Sequence, residues 1–280
     1  MSITINRRQL FAGAAYAVAS LTLAGCGGEK AETDATPEEK VYLDESDIDA
    51  MFTNPDDYTG KWVKLPGKTL GSSEKDGDLT ALQAYYDIQT YDRTYIIHSS
   101  TTESFADGEY ILVDGMISGS FDGENAFGGT LTAPLITNAE ITKSNYIDVA
   151  VPTIASIEPA VTASQNDVTF TCDKVEFAEA ETRIYLTISN DRSDSVSYGV
   201  YEIRAIVDGQ QIEQDNGSSS TYEGNYPELS YDISGGAKTS GILVFPAIEP
   251  GTAFKLVVPD IYCDDYETQF TDVELEIPAE

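Results

Sequence analysis

The chain is 280 residues long and sets 48 acidic residues against 16 Lys and Arg, a formal charge of −32. A field of that sign repels phosphate backbones and anionic head groups, so nucleic acid is excluded as a partner and charge cannot hold the chain to a membrane. One histidine and three cysteines, with no Cys-x-x-Cys pair, are too few for a clustered zinc site.

The amino end reads Asn6-Arg7-Arg8-Gln9-Leu10-Phe11, runs apolar from Ala12 to Ala24, and ends the stretch with Leu23-Ala24-Gly25-Cys26. A basic start, a short apolar core and small residues before a cut site make residues 1–25 a secretory signal peptide. The apolar stretch is too short to span about 30 Å of hydrocarbon. The Arg pair resembles the twin-arginine export signal, and Leu-Ala-Gly-Cys resembles the lipobox of bacterial lipoproteins. That resemblance implies a diacylglycerol on Cys26, which becomes the first mature residue and attaches the protein to the membrane outside the cytoplasm. Residues 26–45 continue as a polar, acidic tether with too little apolar surface to offset its ordering entropy.

A first folded unit is expected over 46–148. Ser46 should cap a short helix, Asp47 to Phe52, that stops at Asn54-Pro55. Strands follow at Lys61–Leu70, Leu79–Ile88, Thr94–His98, Tyr110–Ile117 and Leu131–Ile141, punctuated by Asp76-Gly77, Asp107-Gly108, Asp114-Gly115 and Asp122-Gly123. The Gly-rich run from Gly119 to Gly129 reads as a long hairpin loop, since no phosphate-binding motif follows it. Five short strands with Gly-rich turns predict a small barrel. The run Asn54 to Lys61, then Val63 and Gly67, and later Asp107 to Ile117, resembles the OB-fold-like domains of bacterial secreted proteins. The resemblance implies a fold and carries no catalytic residue.

After a connector at Tyr146–Thr153, a second unit is expected over 154–280. Strands are predicted at Val168–Phe177, Thr182–Ser189, Tyr198–Val207, Gln210–Gln214, Ser240–Phe245, Ala253–Val258 and Glu267–Ile277, with Asp208-Gly209 as a hairpin turn. About seven strands in this length predict a β-sandwich. Phe170 to Phe177, Thr182 to Asn190, Gly241 to Pro246 and Phe254-Lys255-Leu256 resemble the immunoglobulin-like domain of bacterial surface lipoproteins. That resemblance implies that the Gly241–Phe245 strand pairs with the Phe254–Leu256 strand. The whole chain is therefore expected to be all-β: a small five-stranded OB-like barrel followed by an immunoglobulin-like sandwich.

With Cys26 assigned to the lipid, Cys172 and Cys263 remain as an even pair in an oxidising compartment and are expected to form a disulfide. Chemistry-bearing motifs are scarce. The lone histidine, His98, falls in a predicted strand and no Gly-x-Ser-x-Gly elbow accompanies it, so no catalytic residue is assigned. No Asp-x-Asp-x-Asp-Gly calcium loop occurs, no metal site is assigned, and no cofactor is implied. Of the 17 tyrosines, Tyr85 and Tyr95 fall on the two predicted strands that bind oligomers in OB-folds, and are the candidate ligand-stacking pair, with Tyr86 turned inward beside Leu82. Lys61, Lys64 and Lys68 form a small basic patch within the negative field. The expected function is a membrane-anchored, non-enzymatic binding or scaffolding module for a neutral glycan, a peptide, a protein neighbour or a divalent cation. The rival is an enzyme, or an enzyme accessory, acting on cell-wall or host glycans through two facing carboxylates.

Overall fold

The computed structural model describes residues 39–124, 130–265 and 267–280. Residues 1–38, which carry the expected signal peptide, Cys26 and most of the expected tether, lie outside the described residues. The protein is all-β and divides into two compact units, the first ending at Ser144 and the second beginning at Asn145. No helix among the described residues is long and apolar enough to cross a membrane.

The first unit opens with a helix, α1 (Ile48–Thr53), and continues through β1 (Trp62–Thr69), β2 (Glu74–Asp76), β3 (Leu79–Tyr85), β4 (Thr94–Ser99), β5 (Tyr110–Glu124) and β6 (Thr130–Lys143). Ser46 does not cap α1: Ser46 sits inside a 3-10 turn, Glu45–Asp47, and Asp47 takes the N-cap position without a side-chain bond. The run from Gly119 to Glu124 is strand rather than loop, because β5 stays paired with β6 out to Glu124.

β1 pairs β5 along Trp62–Lys68 and reaches β3 through Lys68 and Thr69. The strand path β1-β5-β6-β4-β3 therefore returns to β1 and encloses one core. Met51, Leu65, Leu82, Tyr95, Ile97, Phe105, Val113 and Ile136 are buried in it. At the centre the packing leaves no room for a side chain on Gly67, whose Cβ would fall 2.4 Å from the Tyr95 hydroxyl oxygen. Along its Trp62 end the other edge of β1 is covered by residues 41–43, held by bonds from Leu43 N–H to Trp62 O and from Trp62 N–H to Val41 O.

The second unit starts earlier than the sequence pattern indicates. The expected connector is a helix, α2 (Tyr146–Ala150), whose N-cap Asn145 side chain accepts from the Asp148 N–H. β7 (Thr153–Ile157) and β8 (Val161–Gln165) follow, then β9 (Val168–Ala178), β10 (Glu181–Asn190), β11 (Val196–Ser197), β12 (Arg204–Val207) and β13 (Gln210–Glu213). After α3 (Ser219–Glu223) come β14 (Asp232–Ile233), β15 (Lys238–Pro246), β16 (Phe254–Val258), β17 (Tyr262–Cys263) and β18 (Val273–Ile277). They form one sheet of β15, β10, β9, β7 and β8, a second of β13, β12, β16 and β18, and a third of β14, β11 and β17. Side chains from all three sheets meet in a single cluster that includes Phe170, Phe177, Ile184, Phe245, Leu256 and Leu275.

The implied pairing of β15 with β16 is not made. β15 pairs β10, while β16 pairs β12 and β18, so the two strands lie in different sheets. The predicted strand Tyr198–Val207 is also broken: β11 ends at Ser197, a turn occupies 198–203, and β12 begins at Arg204. Asp208-Gly209 does form the hairpin turn between β12 and β13, with φ values of 50° and 77° that a primed turn requires.

The expected disulfide is absent. Cys172 on β9 and Cys263 on β17 are separate buried thiols in two different sheets. The Cys263 thiol donates to Asp265 Oδ1, and Cys172 packs among apolar neighbours that push its thiol up to about 12 by burial. Each acts as a small hydrophobe.

One buried charge stands out. Arg183 on β10 is fully buried and donates to Glu176, Glu181, Val151 O and Thr153 Oγ1. The Tyr226 hydroxyl also donates to Glu181. This network ties the residues just after α2 to β9 and β10.

Candidate functional site: a tyrosine-lined hollow

The turn at 198–203 and the strands β14 and β17 surround a hollow of about 380 Å³ in the second unit. Tyr198 is buried, with its hydroxyl donating to Ser230 O, while three further tyrosines lining the hollow are open to solvent. Tyr201 is 73% exposed, Tyr231 55% and Tyr262 48%. Large aromatic rings left in water at that level cost burial that the fold would otherwise gain, and grouped exposed aromatics mark interaction sites.

Local geometry explains the arrangement. β11 pairs with both β14 and β17, which sets Ser197 opposite Asp232 on one side and Tyr262 on the other. Tyr231 precedes β14, and its hydroxyl shares a 2.6 Å hydrogen bond with that of Tyr262. That bond raises the Tyr262 phenol above its ordinary value. Ser197 Oγ donates to Asp232 Oδ2, so a carboxylate stands next to the tyrosine pair.

Two more carboxylates line the hollow. A Cβ on Gly199 would meet Glu202 Oε2 at 3.0 Å and Asp260 Oδ2 at 3.4 Å, so both oxygens approach one point above this glycine. Asp260 holds a φ of 54°, left-handed backbone that Asp tolerates better than most residues. No ion pair or hydrogen bond joins the side chains of Tyr201, Glu202 or Asp260 to another described residue. A second, smaller cavity of about 120 Å³ shares Val200 and Tyr201 with the hollow and continues to Tyr226 and Glu228.

The residues singled out by sequence lie elsewhere. Tyr85 and Tyr95 do not form an exposed pair. In the register of β3 and β4, Tyr95 stands opposite Ala84 rather than Tyr85, which sends Tyr95 to the inner face. Tyr95 is fully buried and its hydroxyl donates to Pro66 O. Tyr85 points the other way but is only 7% exposed, covered edge-on by the Tyr91 ring at 4.9 Å. His98 is buried on β4. Lys64 lies over the Tyr42 ring, and Lys68 over Tyr91 and Tyr110.

Asp194, Cys263 and Asp265 bring ligand-type atoms within 4.8 Å of one another. Arg192 already serves this cluster, donating to Asp194 at 2.9 Å and to Asp265 at 2.8 Å. Hydrogen bonds led by the Thr268 hydroxyl hold the Asp265 carboxyl well below its usual range. The arginine supplies the positive charge that a metal would bring, and the cluster reads as a clasp for the 263–268 loop.

No protein-family model matches the chain, and no curated protein matches it. Among solved structures, a functionally unknown protein from Listeria monocytogenes EGD-e is similar at 13% identity, over 46% of this chain and 88% of its own, with a TM-score of 0.33.

Proposed function

We propose that the protein is a lipid-anchored, extracytoplasmic binding module, with Cys26 as its lipidation site and the tyrosine-lined hollow of the second unit as its ligand site. The observation that carries the binding half is the exposure of Tyr201, Tyr231 and Tyr262 around one depression. The Leu23-Ala24-Gly25-Cys26 run supports the anchor. The five-strand ring supports an OB-like reading of the first unit, and the layered sheets around one core support an immunoglobulin-like reading of the second. The ligand is a glycan, a peptide or a protein neighbour, and not nucleic acid, since the sites of single-strand binders join stacking aromatics to a basic groove and this hollow is acidic.

Two experiments test this. Cys26→Ser should move the protein from the membrane fraction to the soluble fraction of the cell envelope; retention on membranes would sink the anchor. Arrayed glycans and peptides should be screened against the full chain. A ligand whose binding survives Tyr201→Ala combined with Tyr231→Ala would place the site elsewhere.

Glu202 and Asp260, approaching one point above Gly199, give the rival enzyme reading a specific foothold. Their hollow is open rather than a cleft that excludes water, which favours binding over hydrolysis. Release of reducing sugar from a cell-wall or host glycan, abolished by Glu202→Gln or Asp260→Asn, would reverse that preference.

A further inference from the structure

Resting on the reading of the hollow as a ligand site, the geometry points to the class of its ligand: we propose that it takes an organic cation, the ammonium or guanidinium group of a basic peptide side chain or of a polyamine. Two kinds of group line it, phenol rings and carboxylates. No Lys, Arg or His is among the described residues lining it, and neither is an Asn or Gln amide.

The polar inventory is lopsided. Glu202 and Asp260 are acceptor-only groups, and one of the Tyr231 and Tyr262 hydroxyls spends its proton on the other. A neutral sugar brings hydroxyls that both donate and accept, and would find few donors to meet them. An ammonium brings three donors and no acceptor, and a guanidinium five. The two carboxylate oxygens above Gly199 converge where such donors could bridge them, and no cation of the described chain has taken the place. Tyr201, Tyr231 and Tyr262 then supply the second half of cation recognition, since a cation within about 6 Å of an aromatic ring centroid is drawn to its negative face. The chain elsewhere saturates this chemistry with its own lysines: Lys40 stands 4.0 Å from the Trp62 ring centroid and Lys174 5.3 Å from that of Tyr185. At the hollow the aromatic and acidic parts are assembled with no Lys or Arg of the described chain among them. The overall charge of −32 draws cationic ligands toward the surface and raises their arrival rate.

The test uses the full chain and three probes: spermidine, a capped lysine-containing peptide, and a neutral oligosaccharide, each titrated by calorimetry at about 0.05 and 0.15 M salt. The cationic probes should bind, more weakly at the higher salt, because the carboxylates that meet them are near the surface. Tyr201→Ala should weaken binding by about five- to thirtyfold, and Glu202→Gln by about two- to fivefold. Tyr222→Ala, a 76% exposed tyrosine on α3, and Glu213→Gln on β13 control for diffuse attraction and should change nothing. Preference for the peptide over spermidine at equal charge identifies a protein source, and the reverse a free polyamine. Equal losses in the control variants, or none in Tyr201→Ala, would overturn the proposal. Binding of the oligosaccharide alone, lost in Tyr201→Ala, would overturn the cation and keep the hollow as a binding site. No binding by any probe would overturn both.

Discussion

Arg183→Ala should be among the most damaging single substitutions in the second unit. The guanidinium is fully buried and makes four hydrogen bonds, at 2.9 Å to Glu176, 2.7 Å to Glu181, 3.0 Å to Val151 O and 2.6 Å to Thr153 Oγ1. Truncation leaves two nearly buried carboxylates facing a void where their cation stood. Breaking a buried pair by removing one partner costs about 3–5 kcal/mol. At roughly 3 °C per kcal/mol for a unit of this size, the melting temperature of the second unit should fall by about 12 °C. The loss should depend on pH in a direction fixed by Glu176. Burial pushes its carboxyl up, but hydrogen bonds from Lys174, Arg183 and Tyr185 outweigh this and hold it below its ordinary value. In the wild type its contribution is therefore present above the unfolded-state pKa and lost as pH falls through the folded one. Without Arg183 the burial penalty has less to oppose it, so protonation relieves the variant. The gap between variant and wild type, followed by differential scanning fluorimetry from pH 8 to pH 4, should narrow at the acid end. A loss under about 1 kcal/mol, or a gap constant with pH, would refute the account of this network as a buried charge held by its partners.

Gly67→Ala should destabilise the first unit, because its Cβ falls 2.4 Å from the Tyr95 hydroxyl oxygen inside the core; Gly67→Ala combined with Tyr95→Phe should recover part of the loss, and additive melting shifts would argue against the clash. Tyr95→Phe alone should cost about 1 kcal/mol in a urea melt through the lost bond to Pro66 O. Neither Cys172 nor Cys263 is bridged, so dithiothreitol should leave the melting temperature unchanged, and a fall of several degrees would reveal a disulfide. With its thiol pushed up to about 12, Cys172 should react with iodoacetamide at pH 8 only on unfolding; mass spectrometry of a brief native labelling checks this.

Local signals in the sequence specify much of the fold. The alternation in Val168–Phe177 and Thr182–Ser189 places β9 and β10 within a residue or two, and Asp208-Gly209 places its hairpin. What failed was non-local. Tyr198-Gly199-Val200-Tyr201 carries strand-forming residues, yet Gly199 lies against Asp260 from a distant loop, and the chain turns there. The exposure of Tyr201, Tyr231 and Tyr262 depends on which segments β11 pairs with, which no periodicity encodes. One residue of register, Tyr95 opposite Ala84 rather than Tyr85, moves Tyr95 from the surface to the centre of the core, while Tyr85 keeps its outward face and is covered by Tyr91, which lies outside both strands. An even cysteine count permits a disulfide without requiring one: a bridge needs the two Cβ atoms brought close and aimed at each other, and Cys172 on β9 and Cys263 on β17 remain separate buried thiols.

The short segment Val41–Leu43 has a bearing on how this protein is handled. It lies along β1 at Trp62, where β5 occupies the opposite side and β3 reaches only Lys68 and Thr69. A recombinant product begun at Ser46 would strip that cover and leave the N–H and C=O of Trp62, the first residue of β1, unpaired on that edge. Unpaired N–H and C=O groups of that kind recruit strands from other chains. Such a product should self-associate as its concentration rises, where one begun at Glu39 stays dispersed.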